Sequence, residues 1–270
     1  MNTLSSTNPK QYDAKETPPE VYDIVVVLDE SGSMETIGKE AEDSINNFFE
    51  RQKVLNIKGS NVSLIKFNSI ITEVFNDIPL EYVPKFEGFK PSNMTALYDA
   101  IGLTIKKKKE KGGNKVIFVI LTDGLENSSK EYTTYQTIKN MITDMETHHG
   151  WKFVYLAANQ DAFSVGSSYG INNCVNFDST PSGFVKITRE VSDGITRMRS
   201  GESKILDISK ITSSSEPVEY NSFTPIVPKM RRYVSSEYTS EPGPERRLDF
   251  IRDTGVDISN VIKDELYRHW

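Results

Sequence analysis

Residues 115–122 read KVIFVILT, six apolar side chains in succession between a lysine and a threonine. A run of this kind suits a strand buried on both faces, and it commits the chain to a parallel sheet covered by helices on either side. Residues 22–28 (YDIVVVL) and 152–158 (KFVYLAA) read as further strands. Between them the period changes. Ile37, Ala41, Ile45, Phe48 and Phe49 share one face of a predicted helix over 35–53, and Leu97, Ile101 and Ile105 do the same over 95–110. The second helix should stop at Gly112 and Gly113, where a glycine C-cap is expected. Helices are also predicted over 132–146, from Gln160 onward and over 182–199, with a small strand at 174–177. Residues 61–67 and 70–78 read as strands joined by Asn68 and Ser69, a connection short enough for a hairpin. The alternation predicts an α/β fold: a doubly wound, mostly parallel sheet with one antiparallel edge strand and helices on both faces.

A chain of 270 residues can bury one good core. Residues 1–17 form a polar, proline-bearing arm, and the folded domain is expected over 18–200. From Gly201 the chain is rich in Ser, Pro and Glu and lacks sustained periodicity, so residues 201–270 are expected to be a mostly disordered extension. Within it, Ile258, Val261, Ile262, Leu266 and Trp270 share a helical face over about 257–270, with Asp257 available as N-cap.

The net charge of −6 argues against a nucleic-acid footprint, which requires a basic surface. Cys174 stands alone, so the fold does not rely on an internal disulfide. No uninterrupted stretch of about 18 apolar residues occurs, and the first twenty residues have no apolar core of a leader. The expectation is a cytoplasmic protein with no membrane anchor. Its N-x-Ser/Thr patterns at Asn93 and Asn127 fall in the loops singled out next, where a glycan would obstruct binding.

In open α/β sheets ligands gather at the carboxyl ends of the strands, where the strand order reverses. Polar residues fall at that edge in three places. Asp29, Ser31 and Ser33 follow the first strand, Thr95 opens a helix in NMTALYDA, and Asp123 follows the most apolar strand in ILTDGLEN. Each alone has an ordinary reading: a Ser or Asp after a strand caps a helix, Thr95 is a cap, and Asp123 before glycine is a turn residue. The strand tip at Asp29 by itself is open between a turn, a phosphatase nucleophile loop and part of a metal seat. All three at one sheet edge, in chain order, favour a site.

The arrangement resembles the von Willebrand factor type A (vWA) family, whose metal-ion-dependent adhesion site (MIDAS) uses Asp-x-Ser-x-Ser, then Thr, then Asp from separate loops. The resemblance covers roughly residues 20 to 200, and FVYLAANQDA at 153–162 also looks like free-standing bacterial and phage members. Asn93 and Met94 stand where the family's threonine is often preceded by glycine. The resemblance implies a six-stranded sheet and a Mg²⁺ or Mn²⁺ site at Asp29, Ser31, Ser33, Thr95 and Asp123. Ser31, Ser33 and Thr95 would bind directly, and Asp29 and Asp123 through water. An ion gripped by alcohols but not neutralised recruits a carboxylate from a partner protein. Glu30 and Asn127 are expected at the rim.

Two other classes share parts of this pattern. A phosphatase of the haloacid dehalogenase type also carries an Asp at its first strand tip, but needs a second Asp two residues on, where Ser31 stands. A scaffold whose metal only stabilises the fold is the other. No G-x-x-x-x-G-K-[ST] loop is present, and adjacent His148 and His149 do not face one another on a helix. The reading is therefore a non-enzymatic module that binds a protein partner by its acidic side chain.

Overall fold

The computed structural model describes residues 20–159, 161–203, 205, 206 and 208. The expected arm at 1–17 and helix at 257–270 lie outside the described residues, as do most of 201–270 and Gln160. In chain order the strands are β1 (Tyr22–Asp29), β2 (Asn61–Phe67), β3 (Ile71–Pro79), β4 (Lys115–Thr122), β5 (Lys152–Ala157) and β6 (Asn173–Asn176). The helices are α1 (Glu40–Lys53), α2 (Leu97–Lys111), α3 (Tyr135–His149), α4 (Ala162–Ser168) and α5 (Pro181–Arg199). The six strands form one sheet in the order β3-β2-β1-β4-β5-β6. All neighbours pair in parallel except β2 with β3. The predicted sheet and its antiparallel edge are both present.

The central strands have no solvent side. Ile24, Val26 and Leu28 of β1 join Ile117, Val119 and Leu121 of β4 in one apolar cluster, with Phe48 of α1 and Phe184 of α5. Val25 and Val27 join Phe118 and Ile120 in the other, with Ile101 of α2 and Ile142 of α3. Successive side chains of a strand point to opposite faces, so a continuous apolar run fills both clusters at once. The first cluster also holds Leu206 and Ile208, so buried chain continues past residue 200.

Two helices begin later than their periodicity predicts. Residues 32–36 form a single 3₁₀ turn and Gly38 adopts φ +61°, so α1 starts at Glu40 rather than near Glu35. Ala96 sits at φ −90°, ψ 61°, outside the helical region, so α2 starts at Leu97 and leaves Thr95 in the preceding loop. Both delays keep the site residues on loops instead of inside helices.

Helix α5 is fastened to α1 by buried polar contacts. Gln52 Nε2 donates to the Ser192 carbonyl at 2.8 Å and to Thr196 Oγ1 at 3.1 Å, while Arg199 donates to Gln52 Oε1 at 2.9 Å and to Ser60 Oγ at 3.0 Å. Burial lowers the Arg199 pKa to about 10.

Candidate metal centre

β1 lies between β2 and β4, so the chain leaves β1 to one side of the sheet and later returns on the other. The strand order reverses there, and in open α/β sheets ligands gather at the carboxyl ends of the strands on either side of such a point, here β1 and β4. Leu28 pairs with Leu121. That register sets Asp29 level with the end of β4.

Asp29 is fully buried. Its Oδ1 accepts from the Ser31 amide at 2.7 Å and its Oδ2 from Thr122 Oγ1 at 2.6 Å. Burial pushes its carboxyl up to about 6, against the pull of those donors, and the Asp123 charge adds to the rise. Ser31 Oγ lies 3.2 Å from Ser33 Oγ, and Ser33 Oγ donates to Asp123 Oδ1 at 2.5 Å. Burial also raises the Asp123 pKa, opposed by that hydroxyl. Its second oxygen, Oδ2, is buried and has no hydrogen-bond partner among the described residues.

Thr95 reaches the same point from a third loop. A Cβ placed on Gly124 would stand 3.0 Å from Thr95 Oγ1, 3.6 Å from Ser33 Oγ and 3.7 Å from Asp29 Oδ2. Three oxygens from two loops thus converge over a residue of a third loop that has no side chain. The five predicted residues, Asp29, Ser31, Ser33, Thr95 and Asp123, are brought together.

The threonine loop follows its path because Asn93 takes φ +66°. Asparagine tolerates this left-handed region better than other non-glycine residues, so it does here what a glycine would do. The Asn93 carbonyl then accepts from the Gly32 amide at 3.1 Å, tying the threonine loop to the serine loop.

Of the two residues expected at the rim, Glu30 is buried in a structural role, while Asn127 is exposed beside Thr95 and also holds it in place. Glu30 is buried, pairs with Lys66 at 2.9 Å and accepts from the Lys90 amide at 2.7 Å, which anchors the proline-bearing loop. Asn127 brackets Thr95: its Oδ1 accepts from the Thr95 amide at 2.7 Å, and its own amide donates to the Thr95 carbonyl at 3.0 Å. Thr122 is the participant that sequence reasoning missed. Its signal is a hydroxyl ending an otherwise apolar strand, one position before the site aspartate.

Among the described residues no cluster of three or more His, Cys, Asp or Glu is positioned to hold a metal ion. The centre has two carboxylates and three hydroxyls, all hard oxygen donors, and one buried carboxylate oxygen lacks a partner. Such a set suits a small hard divalent cation. Hydroxyl and carboxylate donors, the open cradle over Gly124 and the orphaned Asp123 Oδ2 all fit the group.

The family model for the von Willebrand factor type A domain matches residues 23–163. The chain belongs to this family. No curated protein matches it. Among solved structures it is similar to the vWF domain of the type V pili tip protein Mfa5 from Porphyromonas gingivalis, at 11% identity and TM-score 0.50, over 67% of this chain and 96% of that one. Proximal thread matrix protein 1 from the mussel byssus aligns at 15% identity and TM-score 0.49, over 65% of this chain and 48% of that one. The same mussel protein with a zinc-occupied MIDAS motif aligns at 14% identity and TM-score 0.46 over the same shares. The vWA chain thus spans about half the length of the mussel protein. Among the described residues no helix is long and apolar enough to cross a membrane.

Proposed function

We propose that this vWA domain binds a partner protein by its Asp or Glu side chain through a Mg²⁺ or Mn²⁺ site, without catalysis. The orphaned Oδ2 of Asp123, beside oxygens converging over Gly124, carries the reading. An unpartnered buried carboxylate oxygen costs free energy unless something positive faces it. Ser31, Ser33 and Thr95 would hold the ion by neutral oxygens, while Asp29 and Asp123 orient those hydroxyls and the ion's water. When bound, such an ion supplies an electrophilic position that a foreign carboxylate completes.

The test has two stages. Calorimetric titration with MgCl₂ and MnCl₂ should register uptake that Thr95→Ala weakens. Capture from the native cell should recover a partner in Mg²⁺ that is lost both in EDTA and with Thr95→Ala. No uptake of either ion at millimolar concentration would sink the reading.

A further inference from the structure

Three of the segments around the candidate metal centre carry exposed apolar side chains. Ile70, Met94 and Leu125 are 66%, 52% and 59% exposed, three of the seven large hydrophobic residues exposed among those described. Their positions tie them to the candidate metal centre. Met94 immediately precedes Thr95, and Leu125 is separated from Asp123 only by Gly124. Ile70 belongs to the β2–β3 hairpin, which reaches the threonine loop through two hydrogen bonds. The Met94 amide donates to Ser69 Oγ at 3.2 Å, and the Ala96 amide to the Asn68 carbonyl at 2.8 Å. Leu125 is held to the same loop by the paired bonds between Asn127 and Thr95.

These loops also lack free charge. Segments 68–70, 92–95 and 124–128 contain one ionisable side chain, Glu126. Both its oxygens are occupied. Oε1 accepts from the Ser128 and Ser129 amides at 2.8 and 2.7 Å, and Oε2 from the Tyr98 amide and Ser129 Oγ at 2.8 and 2.7 Å. Glu126 is thereby turned to capping the start of α2. The loops that carry Ile70, Met94 and Leu125 engage their one carboxylate in hydrogen bonds and present apolar side chains, so they gain by burying apolar flanks of a partner. Complementarity of charge and polarity at an interface selects the partner as well as binding it.

We propose that Ile70, Met94 and Leu125 select, among acidic partner segments, those whose Asp or Glu is flanked by apolar residues. The selection rests on the metal-dependent reading above, and the two can fail separately. A display library of random peptides with a fixed central Asp is panned on the whole chain in Mg²⁺ and eluted with EDTA. Enrichment of Leu, Ile, Phe or Met beside the Asp is the expected result. The triple variant Ile70→Ser, Met94→Ser, Leu125→Ser should take up Mg²⁺ as the wild type does, yet bind the selected peptides at least about tenfold more weakly.

EDTA-eluted peptides with polar, charged or random flanks would overturn the apolar selection while leaving the metal reading intact. Equal affinity of the triple variant for the selected peptides would overturn it too. If no EDTA-eluted peptides emerge, the metal-dependent capture of acids fails and this selection falls with it.

Discussion

Ser33 donates its hydroxyl proton to Asp123 Oδ1 at 2.5 Å, across 90 positions of sequence. The bond closes the ring between the first and last of the predicted motifs, and leaves the other Asp123 oxygen without a partner among the described residues. With Asp29 also pushed up by burial, the two acids oppose folding unless a cation joins them. A bound divalent ion should therefore stabilise the domain by linkage. At about a hundredfold excess over Kd the gain is about 2.7 kcal/mol, which corresponds to a rise in Tm of roughly 5–10 °C for a domain of this size. Asp123→Asn keeps an oxygen for Ser33 and sets an amide at the orphaned position, so it should match or exceed the metal-free wild type in Tm and lose the response. Melting curves with MgCl₂ and with EDTA test this, and a Tm unmoved by Mg²⁺ or Mn²⁺ contradicts it.

Gly124 offers a way to fill the centre without replacing any donor. Its φ lies outside the left-handed range, so alanine is compatible with the backbone. The added methyl would meet Thr95 Oγ1 at 3.0 Å and crowd Ser33 and Asp29 oxygens behind it. Overpacking by one methyl costs about 1–3 kcal/mol, so Gly124→Ala should lower Tm yet remain folded. Calorimetry should show Mg²⁺ uptake at least about tenfold weaker, a loss of about 1.4 kcal/mol.

Asn127 acts on the centre through Thr95, as a positioning residue. Asn127→Ala removes the acceptor of the Thr95 amide and should weaken metal uptake by about 10–100-fold, the range found for groups that orient ligands. Asn127→Asp retains an acceptor at the same place and should restore uptake to the wild-type level or above it. A purely structural role would instead lower Tm in the alanine variant and leave metal affinity unchanged in both.

The fold and the centre were legible in the sequence for different reasons. β1, β4 and β5 are buried on both faces, and a strand with no solvent side shows itself as an unbroken apolar run. The candidate site residues were legible because Asp29, Ser31, Ser33 and Asp123 follow strand tips and Thr95 stands just before a helix, in one chain order. Glu30 was misplaced to the rim, and the bonds of exposed Asn127 to Thr95 went unseen, because a polar residue in a loop looks the same whether it faces water or grips a neighbouring loop. Their partners Lys66, Lys90 and Thr95 lie 32 to 60 positions away in the chain. The delayed start of α1 was hidden because Ile37 and Ala41 keep helical spacing across a 3₁₀ turn and a left-handed Gly38. Burial of Leu206 and Ile208 was hidden in a polar stretch with no periodicity to announce it.

The opposite end of the sheet carries a buried ionic group that should govern acid stability. Lys108, 6% exposed on α2, donates to Asp23 Oδ2 at 2.7 Å and also to Asp77 Oδ1. Lys111 pairs with the other oxygen of Asp77. Burial pushes the Asp77 carboxyl up, but hydrogen bonds and charge from Lys108 and Lys111 outweigh it and hold the group below the usual carboxylate range. A carboxylate with a depressed folded pKa contributes stability that is present above its unfolded value, about 4, and is lost as pH falls through the folded one. Denaturant midpoints should accordingly fall as the pH drops below about 4, and Asp77→Asn should flatten that fall. Asparagine suits the test because Asp77 sits at φ +58°, a conformation it tolerates. Lys108→Met is the harsher probe: it leaves Asp23 and Asp77 buried without their shared cation, a change that costs about 3–5 kcal/mol. Because this group lies at the strand ends away from Asp29 and Asp123, Lys108→Met should leave Mg²⁺ affinity unchanged wherever the domain remains folded. A Lys108→Met protein with the wild-type denaturation midpoint at pH 7 would contradict the assignment.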